Sequence, residues 1–489
     1  MRLKVILPQL DAGGKTIAII NKEDAEELGV YPLDRIVLKK GSRCITVIVN
    51  ITNKFVKRGE IVVYEEVREM LSLKNGNYLT ATPRGELISK QYIKKKVLGK
   101  SLGYKEFKAI SLDVMERDLN DLELASFITA LTINGMSLNE NVAMTKVMAD
   151  MSDKLQFPGI VADKHSIGGV PGDKTSLLVV PIAAAAGLTV PKTSSRAITD
   201  PAGTADRMEV LAPVDLGREE MKKVVKKTMG CLVWGGSVEL APVDDLFIQI
   251  ERPLSLDPLL IPSVISKKKV VGAMSVVIDI PEGLYAKVKT GYEFRKMSRM
   301  FMHTGKKLGI RVKCVKTSAE QPVGYALGPS LEAREALQSL INIETAPYDL
   351  IQKVTRIAGE MLKINRMGDE KTVVKIWKSG IAEKKMRQII EAQGGDPMIM
   401  PEDIEIGKYS MPIRSVKSGI VKAMNNKILV YVAKAAGAPK DKAAGILLNK
   451  KLGSRVRKND ILFTIYAQKS HKFRLASRIA KKEKIFEMR

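Results

Sequence analysis

The sequence predicts a multidomain α/β protein. It is expected to comprise an N-terminal small β-barrel, a helical domain, a central α/β domain with a mostly parallel sheet, and a C-terminal β-rich α+β domain. Three observations carry this expectation. At 489 residues the chain is too long for a single hydrophobic core. Its periodicity changes three times: from strand alternation to helical spacing, then to strands separated by helices, then back to strands. Its 45% hydrophobic and 27% charged residues match folded domains and not disordered chains.

Residues 1–84 form the first domain. The runs RLKVIL, TIAII, RIVLKK, CITVIV, EIVVYE and YLTAT read as strands, with two short helical patches among them. EELGVYPLDRIVL (26–38) and EMLSLKNGNYLTA (69–81) share a helix, a turn and a strand about 43 residues apart. That echo predicts a barrel made of two related halves. ATPRGE (81–86) reads as the exit linker.

From 85 to 160 helical spacing dominates, and part of 240–262 is expected to join this domain. Asn120-x-x-Glu123 and Ser137-x-x-Glu140 are capping boxes in front of apolar runs. Residues 161–400 alternate short apolar runs (IVADK, VVGAMSVVIDI, VKCVKT) with helical stretches such as LEAREALQSLI, the pattern of a parallel sheet. Such sheets bind ligands beyond the carboxyl ends of their strands, where DKHSIGG would follow FPGIVADK. LLVVPIAAAAGLTVP (177–191) is broken by Pro181 and Gly187, and reads as buried helix and strand. Residues 401–489 return to strands: RSVKSGIVKAM, KILVYVA, GILLNKK and DILFTIYA, with KAMNNK (422–427) as a hairpin.

Composition excludes several functions. Cys44, Cys231 and Cys314 are too far apart for a disulfide framework or metal cluster, and the histidines are only three, so no metal site is expected. The opening residues lack a signal-peptide core and no unbroken apolar run reaches membrane length, so a cytoplasmic protein without membrane contact is expected. A net charge of +26 attracts small anions or nucleic acid. Aromatic residues do not interleave with basic clusters such as KKKVLGKSLGYK (94–105), so no platform for stacking single strands is read.

Two segments carry chemistry. DKHSIGGVPGDKTS (163–176) combines lysines, glycines and hydroxyls, the composition of an anion-wrapping loop. It is not a nucleotide-hydrolysing P-loop, because Gly168 and Gly172 stand too close and Asp173 separates Gly172 from Lys174. KTSSRAITDPAGTADRME (192–209) adds Ser194, Ser195, Thr199, Thr204, Arg196 and Gly203, and suits a phosphate or a sugar hydroxyl.

Together the two segments resemble the paired signature of the thymidine and pyrimidine-nucleoside phosphorylase family. The Lys-His-Ser opening, the Gly-Asp-x-x-Ser continuation and the Ser-x-Arg…Gly-Thr-x-Asp motif are all present, and the likeness spans roughly residues 85–480. An extra Pro171, Asp200 where histidine is usual, and the N-terminal barrel depart from thymidine phosphorylases; all three features are similar to the archaeal-type AMP phosphorylase branch. The resemblance implies reversible phosphorolysis of nucleoside 5′-monophosphates, chiefly AMP to adenine and ribose 1,5-bisphosphate, extending to CMP and UMP. Inorganic phosphate is a co-substrate, with no other cofactor and no metal.

The resemblance also implies site residues. Lys164, Ser166, Ser176, Ser194 and Thr204 would hold phosphate. Gly169, Ser195, Arg196, Ala197, Ile198, Thr199, Asp200, Thr204 and Lys287 would contact the nucleotide. In IERPLSLDPLLIPSVISKKK (250–269), Arg252, Ser263 and Lys267 match the base-binding segment, although this chain is shorter between Asp257 and Ser263 than its relatives. Asp257 matches the proton donor to the base; without the resemblance it reads as a turn before Pro258. Lys287 equally reads as a solvated lysine, and Asp173 and Asp206 as caps or structural ion pairs. Family members dimerise through the helical domain, so a homodimer at least is expected, enlarged by the terminal β-rich domains to a higher homo-oligomer. Three other readings stay open: a thymidine or pyrimidine-nucleoside phosphorylase acting on free nucleosides, a phosphoribosyltransferase, and a basic nucleic-acid-binding protein.

Overall fold

The computed structural model describes residues 1–197 and 200–489. They divide into two compact units, Met1–Met151 with Ala241–Ser263, and Ser152–Leu240 with Val264–Arg489.

The first unit opens with a closed barrel. Its strands β1 (Arg2–Ile6), β2 (Ile17–Asn21), β3 (Arg35–Lys40), β4 (Arg43–Thr52), β5 (Glu60–Val63) and β6 (Tyr78–Pro83) run in the order β1-β5-β2-β4-β3-β6. β1 pairs with β5 in parallel, as β4 does with β2; β1 pairs with β6 antiparallel, as β4 does with β3. Exchanging each strand for the one three places along returns the same pairings. The sequence echo is therefore a structural repeat. Alternate residues such as Leu3, Val5, Ile36, Leu38, Ile61 and Val63 fill the interior, as a period of two demands. β6 extends to Pro83, which pairs with Ile36, so the exit from the barrel begins later than ATPRGE suggested.

Four helices follow: Ile88–Val97, Tyr104–Met115, Asp121–Asn134 and Leu138–Asp150. Both capping boxes form. Asn120 accepts the Glu123 N–H at 3.0 Å and Ser137 that of Glu140 at 3.2 Å, while each glutamate takes the cap's own N–H at 2.9 Å. The helix Pro242–Leu254 returns to this bundle, setting Phe247 against Phe127 with ring centroids 5.8 Å apart. Arg35 of the barrel meets Glu123, and Arg84 reaches Asp118 at 2.6 Å, tying barrel to bundle.

In the second unit β7 (Ala162–Ser166), β8 (Val190–Ser194), β9 (Gly230–Trp234), β10 (Ser275–Glu282) and β11 (Arg311–Ser318) pair only in parallel. β10 lies between β11 and β7, and a parallel bridge from Val161 to Thr189 links β7 to β8. β7 takes up Asp163–Ser166, so the first part of DKHSIGG is strand and not loop. Its register sets Lys164 beside Val277 and Ser166 beside Asp279. The VVGAM part of VVGAMSVVIDI is likewise not strand: Val270 ends a helix, and β10 starts at Ser275.

The chain ends with β12 (Ala326–Leu327), β13 (Tyr409–Arg414), β14 (Gly419–Met424), β15 (Gly445–Leu448), β16 (Arg455–Val456), β17 (Ile461–Ala467) and β18 (Phe486–Met488). They form the sheets β12-β15-β17-β13 and β16-β14-β18. KILVYVA, expected as a strand, lies in the helix Asn426–Ala436, and KAMNNK is a strand-to-helix junction instead of a hairpin. The reason is local. Asn425 caps the helix by accepting the Ile428 N–H at 3.2 Å, and Leu429, Val432, Ala433 and Ala436 bury one helical face. A short apolar run fits either period, and here the cap selects the helix. No helix among the described residues is long and apolar enough to cross a membrane.

Asn425→Ala should therefore destabilise the protein by about 1 kcal/mol in urea unfolding. An unchanged midpoint would show that packing alone holds this helix.

Candidate active site

β7 places charges on alternate faces at its carboxyl end. Asp163 is fully buried; its carboxylate takes the Lys268 ammonium at 2.6 Å and lies 3.7 Å from that of Lys192. Burial pushes the Lys192 pKa down to about 7, against the pull of Asp163. Burial also holds the His165 imidazole well below its usual range, and Lys268, Lys192, Lys164 and Lys267 add to this. His165 is therefore neutral and can offer a single N–H.

Lys164 is only 2% exposed. Among the described residues its ammonium has no ion-pair or hydrogen-bond partner. Burial lowers its pKa, and Asp173 and Asp279 oppose that only from a distance. Both carboxylates face another lysine, Lys353, at 3.3 and 2.8 Å. A desolvated cation without a counter-ion is the natural seat of a ligand anion.

After Ser166 the chain turns through Gly168 and Gly169, both at positive φ. A Cβ on Gly169 would stand 3.1 Å from the Lys287 backbone nitrogen, so these two residues are neighbours because one has no side chain. Lys174 is buried on Glu335 and the Val323 carbonyl, and does not serve as a free cation. Asp173 accepts from Thr175 at the start of the helix Thr175–Ala185, whose first turn holds the buried Ser176. Burial opposes ionisation of Asp173, yet Lys353 and Lys164 hold its carboxyl far below the usual range.

The second segment leaves β8 and enters the helix Thr204–Met208. Asp206 takes the N–H groups of Ala197 and Gly203, each at 2.7 Å. Gly203 is obligatory for this fold of the chain, because a Cβ would lie 2.6 Å from the Ser195 carbonyl oxygen. Arg207, buried against Glu332, donates to the Ala202 carbonyl at 2.8 Å. Arg196 makes two 2.7 Å bonds to Glu209, reaches Asp215 at 3.1 Å, and lies over the Trp234 ring. Its guanidinium is thus committed to bracing the segment from behind. Those bonds hold Glu209 down at about 2. Ser194 donates to the Val233 carbonyl at 3.3 Å, and Ser195 is exposed. Burial raises the Asp200 pKa to about 6, with Arg207 opposing and Glu332 adding to the rise. Ile198 and Thr199, also expected at the site, lie outside the described residues.

The second unit thus places Lys164, Ser166, Gly169 and Ser176 on β7 and the segment after it, Ser194–Ala197, Asp200 and Thr204 on β8 and the segment after it, and Lys287, beside Gly169, after β10. Lys267 lies near His165. Arg252, Asp257 and Ser263 belong to the first unit. There Arg252 and Asp257 are exposed, and the Ser263 hydroxyl donates to Asp244 at 2.7 Å. Sequence reasoning missed Lys353, Asp279, Arg207 and Glu332. Two had a signal: Lys353 interrupts the apolar stripe Leu350, Val354, Ile357, Met361, and Asp279 interrupts the apolar run of β10. Elsewhere, Asp113, Glu116 and Asp118 are close enough to share a cation, but Arg84 already meets Asp118 and Glu116.

Three family descriptions match this layout. They are the helical bundle domain of the glycosyl transferase family over residues 90–152, its a/b domain over 158–386, and the pyrimidine nucleoside phosphorylase C-terminal domain over 420–485. The solved anthranilate phosphoribosyltransferase of Thermus thermophilus shares the fold, with a TM-score of 0.52 at 18% identity over 62% of this chain and 99% of its own. These family matches define a glycosyl transferase with a pyrimidine nucleoside phosphorylase type of C-terminal domain. Full-length relatives narrow this. The AMP phosphorylase of Methanococcus vannielii is 45% identical over 97% of this chain and 95% of its own. That of Thermococcus kodakarensis is 44% identical over 97% and 95%, and that of Thermofilum pendens 42% over 99% and 94%. The chain belongs to the AMP phosphorylase family.

The raised Asp200 pKa makes a signed prediction. A carboxyl whose folded pKa lies above its unfolded value is ionised at a cost above about pH 6, and that cost disappears as pH falls through 6 towards 4. Asp200→Asn should therefore stabilise the protein at pH 7, by at most about 3 kcal/mol. The gain should vanish at pH 4; an equal gain at both pH values in thermal melts would reject the assignment.

Proposed function

We infer that this chain catalyses the reversible phosphorolysis of AMP, taking AMP and inorganic phosphate to adenine and ribose 1,5-bisphosphate. The observation that carries the reading is the buried ammonium of Lys164, unpartnered among the described residues, in a chain similar over nearly its whole length to AMP phosphorylases.

A phosphate oxygen attacks C1′ of the ribose while the C1′–N bond breaks and its electron pair leaves with the base. Lys164, Ser166, Ser176, Ser194 and Thr204 hold the phosphate, so that attack is not opposed by the entropy of a free encounter. The bound anion also stabilises the positive charge growing at C1′. Gly169, Lys287 and the segment from Ser195 to Asp200 contact the nucleotide, with Arg196 acting from behind through Glu209. Arg252, Ser263 and Lys267 hold the base, and Asp257 gives it the proton that makes it a competent leaving group. His165, neutral, donates a hydrogen bond beside the phosphate. On the same reading CMP and UMP are further substrates, phosphate is the only co-substrate, no cofactor takes part, and the chain works in the cytoplasm as a homodimer or larger homo-oligomer. Asp200, standing where thymidine phosphorylases carry histidine, marks the branch that acts on nucleoside 5′-monophosphates in place of free nucleosides.

Incubation with AMP and phosphate should release adenine, measured by chromatography, and adenosine should react far more slowly. Faster turnover of adenosine, thymidine or uridine would replace this reading with a nucleoside phosphorylase. Asp257→Asn should keep AMP binding but lose most turnover; an unchanged kcat returns Asp257 to a turn residue. Lys164→Ala removes a charge-assisted contact worth roughly 1.5–3 kcal/mol, so the KM for phosphate should rise about 10- to 100-fold.

A further inference from the structure

Lys353 comes from the helix Tyr348–Ile364 and is buried, with its ammonium between the buried Asp279 and the half-buried Asp173. Its distances are 2.8 Å to Asp279 and 3.3 Å to Asp173. Each carboxylate gives its second oxygen to a threonine: Asp279 accepts the Thr317 hydroxyl at 2.6 Å, and Asp173 accepts that of Thr175. Both carboxylates thereby face Lys353 and a threonine, and neither forms an ion pair with the neighbouring Lys164.

We propose that Lys353 is a positioning residue for the anion site: by holding Asp173 and Asp279, it leaves the Lys164 ammonium free for phosphate. This rests on the reading of Lys164 as the phosphate cation. The argument is one of charge and geometry. Lys164, Lys353, Asp173 and Asp279 together carry no net charge, so an incoming anion meets one available ammonium and no available carboxylate. Without Lys353 the cluster becomes anionic. Both carboxylates then compete with phosphate for Lys164 and repel the phosphate as well. The direction of the pKa shifts agrees: burial lowers Lys353, but Asp173 and Asp279 raise it beyond its usual value, so it stays charged. Asp279 also lies beside Ser166 in the strand register, so the network underlies the strand that presents both Lys164 and Ser166.

The two ends of this ion pair predict opposite effects, which a merely structural contact does not. Lys353→Met should raise the KM for phosphate about tenfold or more, with a smaller change in the KM for AMP. Asp279→Asn, which leaves the cluster with net positive charge, should lower the KM for phosphate about two- to fivefold. The double variant Lys353→Met/Asp279→Asn is again neutral and should recover most of the phosphate affinity that Lys353→Met loses. Asp279→Asn decides on its own, so where melting curves show that Lys353→Met fails to fold it carries the test, and where Asp279→Asn fails the rise in phosphate KM of Lys353→Met does. A rise in phosphate KM for Asp279→Asn, or a double variant worse than Lys353→Met, overturns the proposal. Lys164→Ala assayed alongside separates the two readings. If it leaves phosphate KM unchanged, the anion site itself is wrong; if it raises KM while the opposite signs fail, only the role of Lys353 is lost.

Discussion

A lysine ammonium buried without a counter-ion is an expensive thing for a fold to keep, and among the described residues the second unit is arranged around one. Lys164 sits at the middle of a strand whose neighbour, β10, is buried almost throughout. Two carboxylates oppose the lowering of its pKa by burial, yet both are turned towards Lys353. On the opposite face of β7, Asp163 neutralises Lys268 and draws in Lys192, so the charges there are settled among themselves. Lys164 has no counter-ion among the described residues and is open to one from outside.

The second segment shows the complementary design. Its main chain is held by its own side chains: Asp206 takes two of its N–H groups, Arg207 donates to the Ala202 carbonyl, and Gly203 allows backbone to press on backbone. Arg196 is anchored through Glu209, which also meets Lys442 at 3.0 Å, so the C-terminal region supports the segment too. Fixing donors before a ligand arrives is how a site stabilises developing charge without reorganising at the moment of reaction.

Much of this is legible in the sequence because it depends on local rules. The barrel strands, their repeat and both capping boxes follow from alternation and from the Asn120 and Ser137 side chains. KILVYVA misleads because a short apolar run carries no decisive period, and only the weight of Asn425 as a cap separates helix from strand. The first site segment reads as loop, although Asp163–Ser166 are held in the sheet by pairing with β10, residues distant in the chain. Lys164 can be singled out by its neighbours in sequence, but its lack of a partner cannot. That depends on Lys353, almost two hundred residues further on, taking both carboxylates. The role of Arg196 is hidden for the same reason, since Glu209, Asp215 and Trp234 meet it only in the fold.

The central claim, that the buried ammonium of Lys164 is the seat of inorganic phosphate, is tested most directly by a crystal structure of the full chain in phosphate. The account predicts a phosphate oxygen within hydrogen-bonding distance of Lys164 Nζ, with Lys353 still between Asp173 and Asp279. A phosphate bound elsewhere, with Lys164 Nζ paired to either carboxylate, would contradict it.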